Sequence, residues 1–147
     1  MKTRLQILVS RTDRLGDVLL ALPVLEYLRK VFPQAEIDFL CRDTIADVIR
    51  PHLTSRRIQA VYYPPEGELR FLKSYSAHLM LYWENRLAWA TFLSKTPVRV
   101  GIYSKPLSYF LLTSGIRQRR SQARKNEALY NLDLARILAQ RLSNENV

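Results

Sequence analysis

Cysteine is almost missing from this chain. Cys41 stands alone, so no disulfide can form within it. Its place in the apolar run from Ile37 to Cys41 predicts a buried small hydrophobe rather than a reactive thiol. With only His52 and His78 beside that one cysteine, no zinc-ligand spacing exists, and no metal site is expected. No stretch supplies the roughly 18 apolar residues that a membrane-spanning helix needs. Arg11 and Asp13 interrupt the first apolar run too early for a signal peptide. Internal repeats and low-complexity linkers are absent as well. The one glycine near the amino end, Gly16, does not make a GxGxxG fingerprint, so a dinucleotide site is not supported. A cytoplasmic protein is expected, able to lie peripherally on the inner face of the inner membrane.

What is present is cationic and rich in core-forming residues. Lys and Arg number 23 against 13 Asp and Glu, a net charge of +10, while hydrophobic residues make up 48% of 147 positions. Such a chain builds one real core, and its charge favours polyanionic partners: nucleic acid, anionic lipid or a phosphorylated substrate. Apolar runs alternate with helical patterns. Leu5–Ser10, Glu36–Cys41, Ile58–Tyr63, Ala77–Trp83 and Val98–Ile102 read as strands. Asp17–Phe32, Thr44–Arg50, a weak segment at Gly67–Ser74, Arg86–Ser94 and Gln122–Arg141 read as helices. This alternation predicts an α/β domain whose parallel sheet is covered by helices on both faces, with the first strand central. Pro23 is expected to kink the first helix and Pro51 to end the second. Ser121 is the expected N-cap of the last helix. That helix carries an apolar face of Ala128, Leu129, Leu132, Leu134, Ala135, Ile137 and Leu138, part of it expected to meet a partner chain or a second copy.

The most informative segment joins the first strand to the first helix: Arg11-Thr12-Asp13-Arg14-Leu15-Gly16-Asp17. Open sheets bind ligands beyond the carboxyl ends of their strands, and a helix amino end offers free N–H groups to an anion. Asp17 could cap that helix, or act as a general base in the crevice. Arg11 and Arg14 could pair with Asp13 and Asp17, or clamp a carboxylate or phosphate in their fork geometry. Arg117, Arg119, Arg120, Arg124 and Lys125 form a second cationic cluster. It reads as a solvated face, or as a contact for anionic lipid or nucleic acid. Tyr103, Tyr109 and Phe110, just upstream, read as core.

The run from Ile7 to Pro23, with a strand, a basic residue, a short polar loop, Gly16-Asp17, an apolar stretch and Leu22-Pro23, resembles the opening of the family 9 glycosyltransferases, the lipopolysaccharide heptosyltransferases. Arg99-Val100-Gly101, Gln118-Arg119-Arg120-Ser121 and Asn126 to Leu132 are similar to that family's second signature, with Asn126 where a His is common. The resemblance implies the N-terminal, acceptor-binding half of a GT-B enzyme, Rossmann-like in fold, metal-independent and inverting. It implies Asp17 as the catalytic base, with Arg11, Thr12, Arg14 and Gly16 around an anionic lipid-linked acceptor. It also implies a donor, an ADP-sugar, bound by a second domain. Family members are about twice this length, and no residues after Arg141 could form that domain. Residues 1–147 are therefore expected to be a single acceptor domain: a truncated half inactive alone, or one chain of a split enzyme needing a separate donor-domain chain. A noncatalytic module binding anionic glycolipid or a partner, and a basic nucleic-acid-binding α/β protein, are the rival readings; the second lacks any nucleic-acid motif.

Overall fold

The computed structural model describes residues 4–64, 69, 75–103, 105–117 and 127–145. In chain order these form β1 (Gln6–Ser10), α1 (Leu15–Leu19), α2 (Leu22–Val31), β2 (Glu36–Cys41), α3 (Asp43–Thr54) and β3 (Ile58–Tyr62). The second half forms β4 (Ala77–Met80), α4 (Asn85–Leu93), β5 (Val98–Ile102), α5 (Pro106–Leu111), β6 (Ser114–Ile116) and α6 (Glu127–Glu145). All six strands are parallel, in the order β3-β2-β1-β4-β5-β6. The chain builds outward from β1, then returns to β1's other side at β4. Open α/β sheets bind ligands beyond the carboxyl ends of the strands at such a reversal, here β1 and β4.

The register sorts side chains onto two faces. Ile7 lies beside Ile37 and Ala77, and Val9 beside Phe39 and Leu79. These residues share one apolar core with Val24, Leu25 and Leu28 of α2, Ile49 and Leu53 of α3, and Leu134 and Leu138 of α6. The opposite face, through Leu8, Leu40 and Met80, packs on Leu87 and Ala88 of α4 and Leu111 of α5. Near-continuous apolar strands are what a sheet covered twice requires.

Three differences from the sequence reading have local causes. The expected helix from Asp17 to Phe32 is two helices, with the break at Leu20–Ala21. Pro23 has no N–H to donate, and starting α2 at Leu22 puts it in a first turn where none is needed. Pro51 does not end α3. The helix runs on to Thr54, because Leu53 is fully buried and Arg56 Nη1 donates to the His52 carbonyl. The third difference is a pair of missed elements, α5 and β6. Pro106 sits in α5's first turn, and β6 is only three residues long. Gly115 makes that strand feasible, since a Cβ there would lie 2.3 Å from the Gly101 carbonyl oxygen. The weak helix expected at 67–74, the Ser121 cap and the first turn of the last helix as read from sequence lie outside the described residues, apart from the buried Leu69.

Cys41 is fully buried, and burial pushes its thiol pKa up to about 12, as suits an inert core residue. His78 of β4 is also buried, with Ser10 Oγ 2.7 Å from its Nε2. Burial, and then the Arg99 charge on the adjacent strand, hold the imidazole neutral and lower its pKa from 6.5 to about 3. As pH falls from about 6.5 toward about 3, only the unfolded chain gains this proton, so the fold loses stability; above that window both states are neutral. His78→Gln should therefore flatten the decline in urea-unfolding free energy between about pH 6.5 and about 5, before carboxylates titrate. Parallel pH profiles for the two proteins would contradict this.

Candidate active site

The turn after β1 is fixed from both sides by backbone bonds, Arg11 N–H to the Leu40 carbonyl and Leu81 N–H to the Ser10 carbonyl, each 3.0 Å. Inside this frame the Arg11 side chain is only 3% exposed. Its Nε and Nη2 donate to the two oxygens of Asp13, both at 3.0 Å. Nη2 also donates to Glu127 Oε1 at 3.0 Å, and Nη1 to Asn131 Oδ1 at 3.1 Å and the Leu81 carbonyl at 3.4 Å. These bonds engage all five donors of a guanidinium. Asn131 then donates its Nδ2 to the Leu20 carbonyl at the α1–α2 break. One cation thus joins the ends of β1 and β4 to α6, and through Asn131 to the break.

Of the two roles open to Arg11 in the sequence, pairing with the loop carboxylates is the one the geometry builds; no N–H remains to clamp an incoming anion. Asp13 chelates it and is largely buried. Burial raises the Asp13 pKa, the Arg11 hydrogen bonds and charge oppose that rise, and the nearby Asp17 charge adds to it. Asp17, in α1, is the accessible carboxylate: its side chain is 34% exposed, with Oδ1 3.8 Å from Arg11 Nη2 and Oδ2 4.0 Å from Arg14 Nε. Arg14 reaches into solvent at 92% side-chain exposure and is the cation of this turn free to meet a ligand.

Thr12 and Gly16 complete the turn. The Thr12 carbonyl accepts a 2.9 Å bond from Arg42 Nε, while its Oγ1 is buried with no hydrogen-bond partner among the described residues. Gly16 is exposed, and a Cβ there would meet nothing within 4 Å. No side chain caps α1, which has five residues, so the long dipole expected of a continuous helix does not act here. Among the second cluster, Arg117 is exposed after β6; Arg119, Arg120, Arg124 and Lys125 lie outside the described residues. No cluster of three or more potential metal ligands occurs among the described residues.

Sequence reasoning did not single out Glu127 and Asn131. They stand one helical turn apart at the start of α6, and the buried Asn131 interrupts an otherwise apolar stripe. A polar residue on the core side of such a stripe was the available signal.

The strand order and the loop cluster at its reversal define a Rossmann-like α/β unit of the kind found in GT-B glycosyltransferases. No family model and no curated protein matches the sequence. Solved structures do match in fold. A family 9 glycosyl transferase from Veillonella parvula DSM 2008 superposes with a TM-score of 0.71 and 19% identity, over 94% of this chain and 43% of that one. The E. coli heptosyltransferase WaaC with ADP matches at a TM-score of 0.66 and 14% identity, over 89% of this chain and 46% of its own. WaaC with ADP-2-deoxy-2-fluoro heptose gives the same TM-score and identity, over 47% of its length. The chain therefore spans less than half the length of the structures it matches.

Because nothing in the fold occupies the space over Gly16, Gly16→Ala should leave the melting temperature unchanged or raise it, worth up to about 1 kcal/mol of helix propensity. A lowered melting temperature would show that the fold itself requires glycine at this position.

Proposed function

We propose that this chain is the acceptor-binding half of an inverting heptosyltransferase of lipopolysaccharide core biosynthesis. It would receive a heptose from a nucleotide sugar onto an anionic, lipid-linked acceptor. The observation that carries the reading is the division of labour between two neighbouring carboxylates. Asp13 is buried and committed to Arg11, whereas Asp17 is accessible at the carboxyl end of β1, where open α/β sheets receive ligands. The fold shared with family 9 and heptosyltransferase structures supports it.

In this mechanism the Asp17 carboxylate takes the proton of the acceptor hydroxyl as its oxygen attacks the anomeric carbon of the donor. The bond from that carbon to the diphosphate breaks, the nucleoside diphosphate leaves with the electron pair, and the configuration inverts. Arg11 positions the base, lying 3.8 Å behind Asp17 without entering the reaction. Arg14 contacts the anionic acceptor, and the bare Gly16 backbone lets a sugar approach closely. The ADP-sugar is held by a domain outside this chain.

On this reading the purified 147-residue chain transfers no sugar from ADP-heptose. Grafted into the E. coli heptosyltransferase in place of the segment it superposes on, it restores turnover. In that chimaera Asp17→Asn lowers kcat about 10²-fold or more, the usual worth of a general base, with little change in acceptor KM. Transfer by the isolated chain, or an Asp17→Asn chimaera with unchanged kcat, would refute the proposal.

A further inference from the structure

On the last helix, where the sequence led us to expect an outward apolar face, Leu134 and Leu138 are fully buried in the core. Five aromatic side chains are exposed among the described residues: Tyr62, Tyr82, Trp89, Tyr109 and Phe110, the last two of which the sequence placed in the core. Four of them are engaged by the protein itself. Tyr62 donates to Asp47 Oδ1 at 2.8 Å, and the Arg50 guanidinium lies 5.4 Å over its ring. Trp89 and Phe110 meet at 6.4 Å, and each also contacts Phe92. Tyr109 stacks on Tyr103 at 4.5 Å. Tyr82 is the exception. It is 43% exposed, and among the described residues its hydroxyl has no hydrogen bond and its ring no aromatic or cationic partner.

A lone exposed ring is ordinary; the place of this one is what makes it informative. Tyr82 follows the carboxyl end of β4, the strand beside β1 at the reversal of sheet order. Its backbone is set by Leu81, which is fully buried. The Leu81 N–H donates to the Ser10 carbonyl at 3.0 Å, and the Leu81 carbonyl accepts from Arg11 Nη1 at 3.4 Å. Arg11 Nη2 in turn lies 3.8 Å from Asp17 Oδ1. One guanidinium thus links the residue before Tyr82 to the candidate base.

We propose that Tyr82 determines acceptor specificity as the platform on which the acceptor sugar ring lies while one of its hydroxyls reaches Asp17. The assignment rests on the transferase reading and adds to it the residue that selects the sugar's face. A sugar ring carries hydroxyls on its rim and C–H groups on its faces. The electron-rich face of an aromatic ring attracts those C–H groups, and a carboxylate accepts from hydroxyls. An unengaged ring and an accessible carboxylate on neighbouring strand ends therefore match both parts of one sugar, as ligand sites pair an apolar surface with a few placed polar groups. A nucleobase could use the same ring, but it would bring its own phosphate beside Asp13, Asp17 and Glu127, the three carboxylates around Arg11. The stacking needs the ring and not the hydroxyl, so phenylalanine should serve in its place.

The test is titration of the full chain with the deacylated inner-core oligosaccharide of E. coli lipopolysaccharide, followed by calorimetry and by NMR of the sugar. Tyr82→Leu keeps an apolar side chain but removes the ring, and should weaken binding about tenfold. Tyr82→Phe should hold affinity within about threefold of the parent. Sugar C–H resonances should move upfield on binding to the parent and to Tyr82→Phe, the ring-current signature of stacking, and should not move with Tyr82→Leu. Tyr109→Leu, which removes another exposed ring, is the control and should leave affinity unchanged. If Tyr82→Leu proves unfolded by circular dichroism, the ring-current shifts with the parent and Tyr82→Phe still decide. Binding that a folded Tyr82→Leu chain retains in full, an equal loss with Tyr109→Leu, or binding without ring-current shifts overturns this assignment and leaves the transferase reading standing. Failure of the parent chain to bind the oligosaccharide at all overturns both.

Discussion

The buried guanidinium of Arg11 is the constraint around which this end of the molecule is organised. A cation withdrawn from water must recover its lost hydration, and here it does so through Asp13, Glu127, Asn131 and the Leu81 carbonyl. Those partners come from the β1 turn, the end of β4 and the first turns of α6. The turn that carries Asp17 is thereby tied to distant parts of the chain, although no side chain caps its short helix. Asp13 and Glu127 lend Arg11 their negative charge, and Asp17 remains the carboxylate with access to solvent.

The sheet supplies the other half of the arrangement. Its order reverses between β1 and β4, and the turn after β1 lies at that reversal, the place where open α/β sheets receive ligands. The faces of the sheet serve different ends. The face under α2, α3 and α6 is uniformly apolar and holds the larger core. The face under α4 and α5 mixes apolar residues with the buried His78–Ser10 pair, and its outer layer carries the exposed aromatic cluster flanked by cations.

Legibility in the sequence followed the range of the interactions. Strands β1 to β5 are short apolar runs bounded by polar or proline-containing turns, so their pattern is local and was readable. β6 was not, because three residues carry no periodicity and its place depends on Gly115 meeting Gly101 across the sheet. The break between α1 and α2 was readable as a disturbance at Pro23 but not as two helices, since where a helix restarts depends on what its first turn packs against. At the site, Arg11, Arg14, Gly16 and Asp17 lie within seven residues and could be grouped by eye. The partners that fix the state of Arg11 are 116 and 120 residues away, and only the fold brings them together. Hence the sequence left open whether Arg11 pairs with its neighbours or awaits a ligand, whereas the structure holds it already engaged.

A double-mutant cycle between Arg11→Met and Glu127→Gln, read by urea unfolding, tests this most directly. If Arg11 holds α6 to the β1 turn, Arg11→Met alone costs about 3–5 kcal/mol, because three carboxylates lose their shared cation. The two substitutions together then cost less than the sum of their separate effects, by about 1 kcal/mol or more. Strictly additive effects, or an Arg11→Met protein as stable as the parent, would contradict the account.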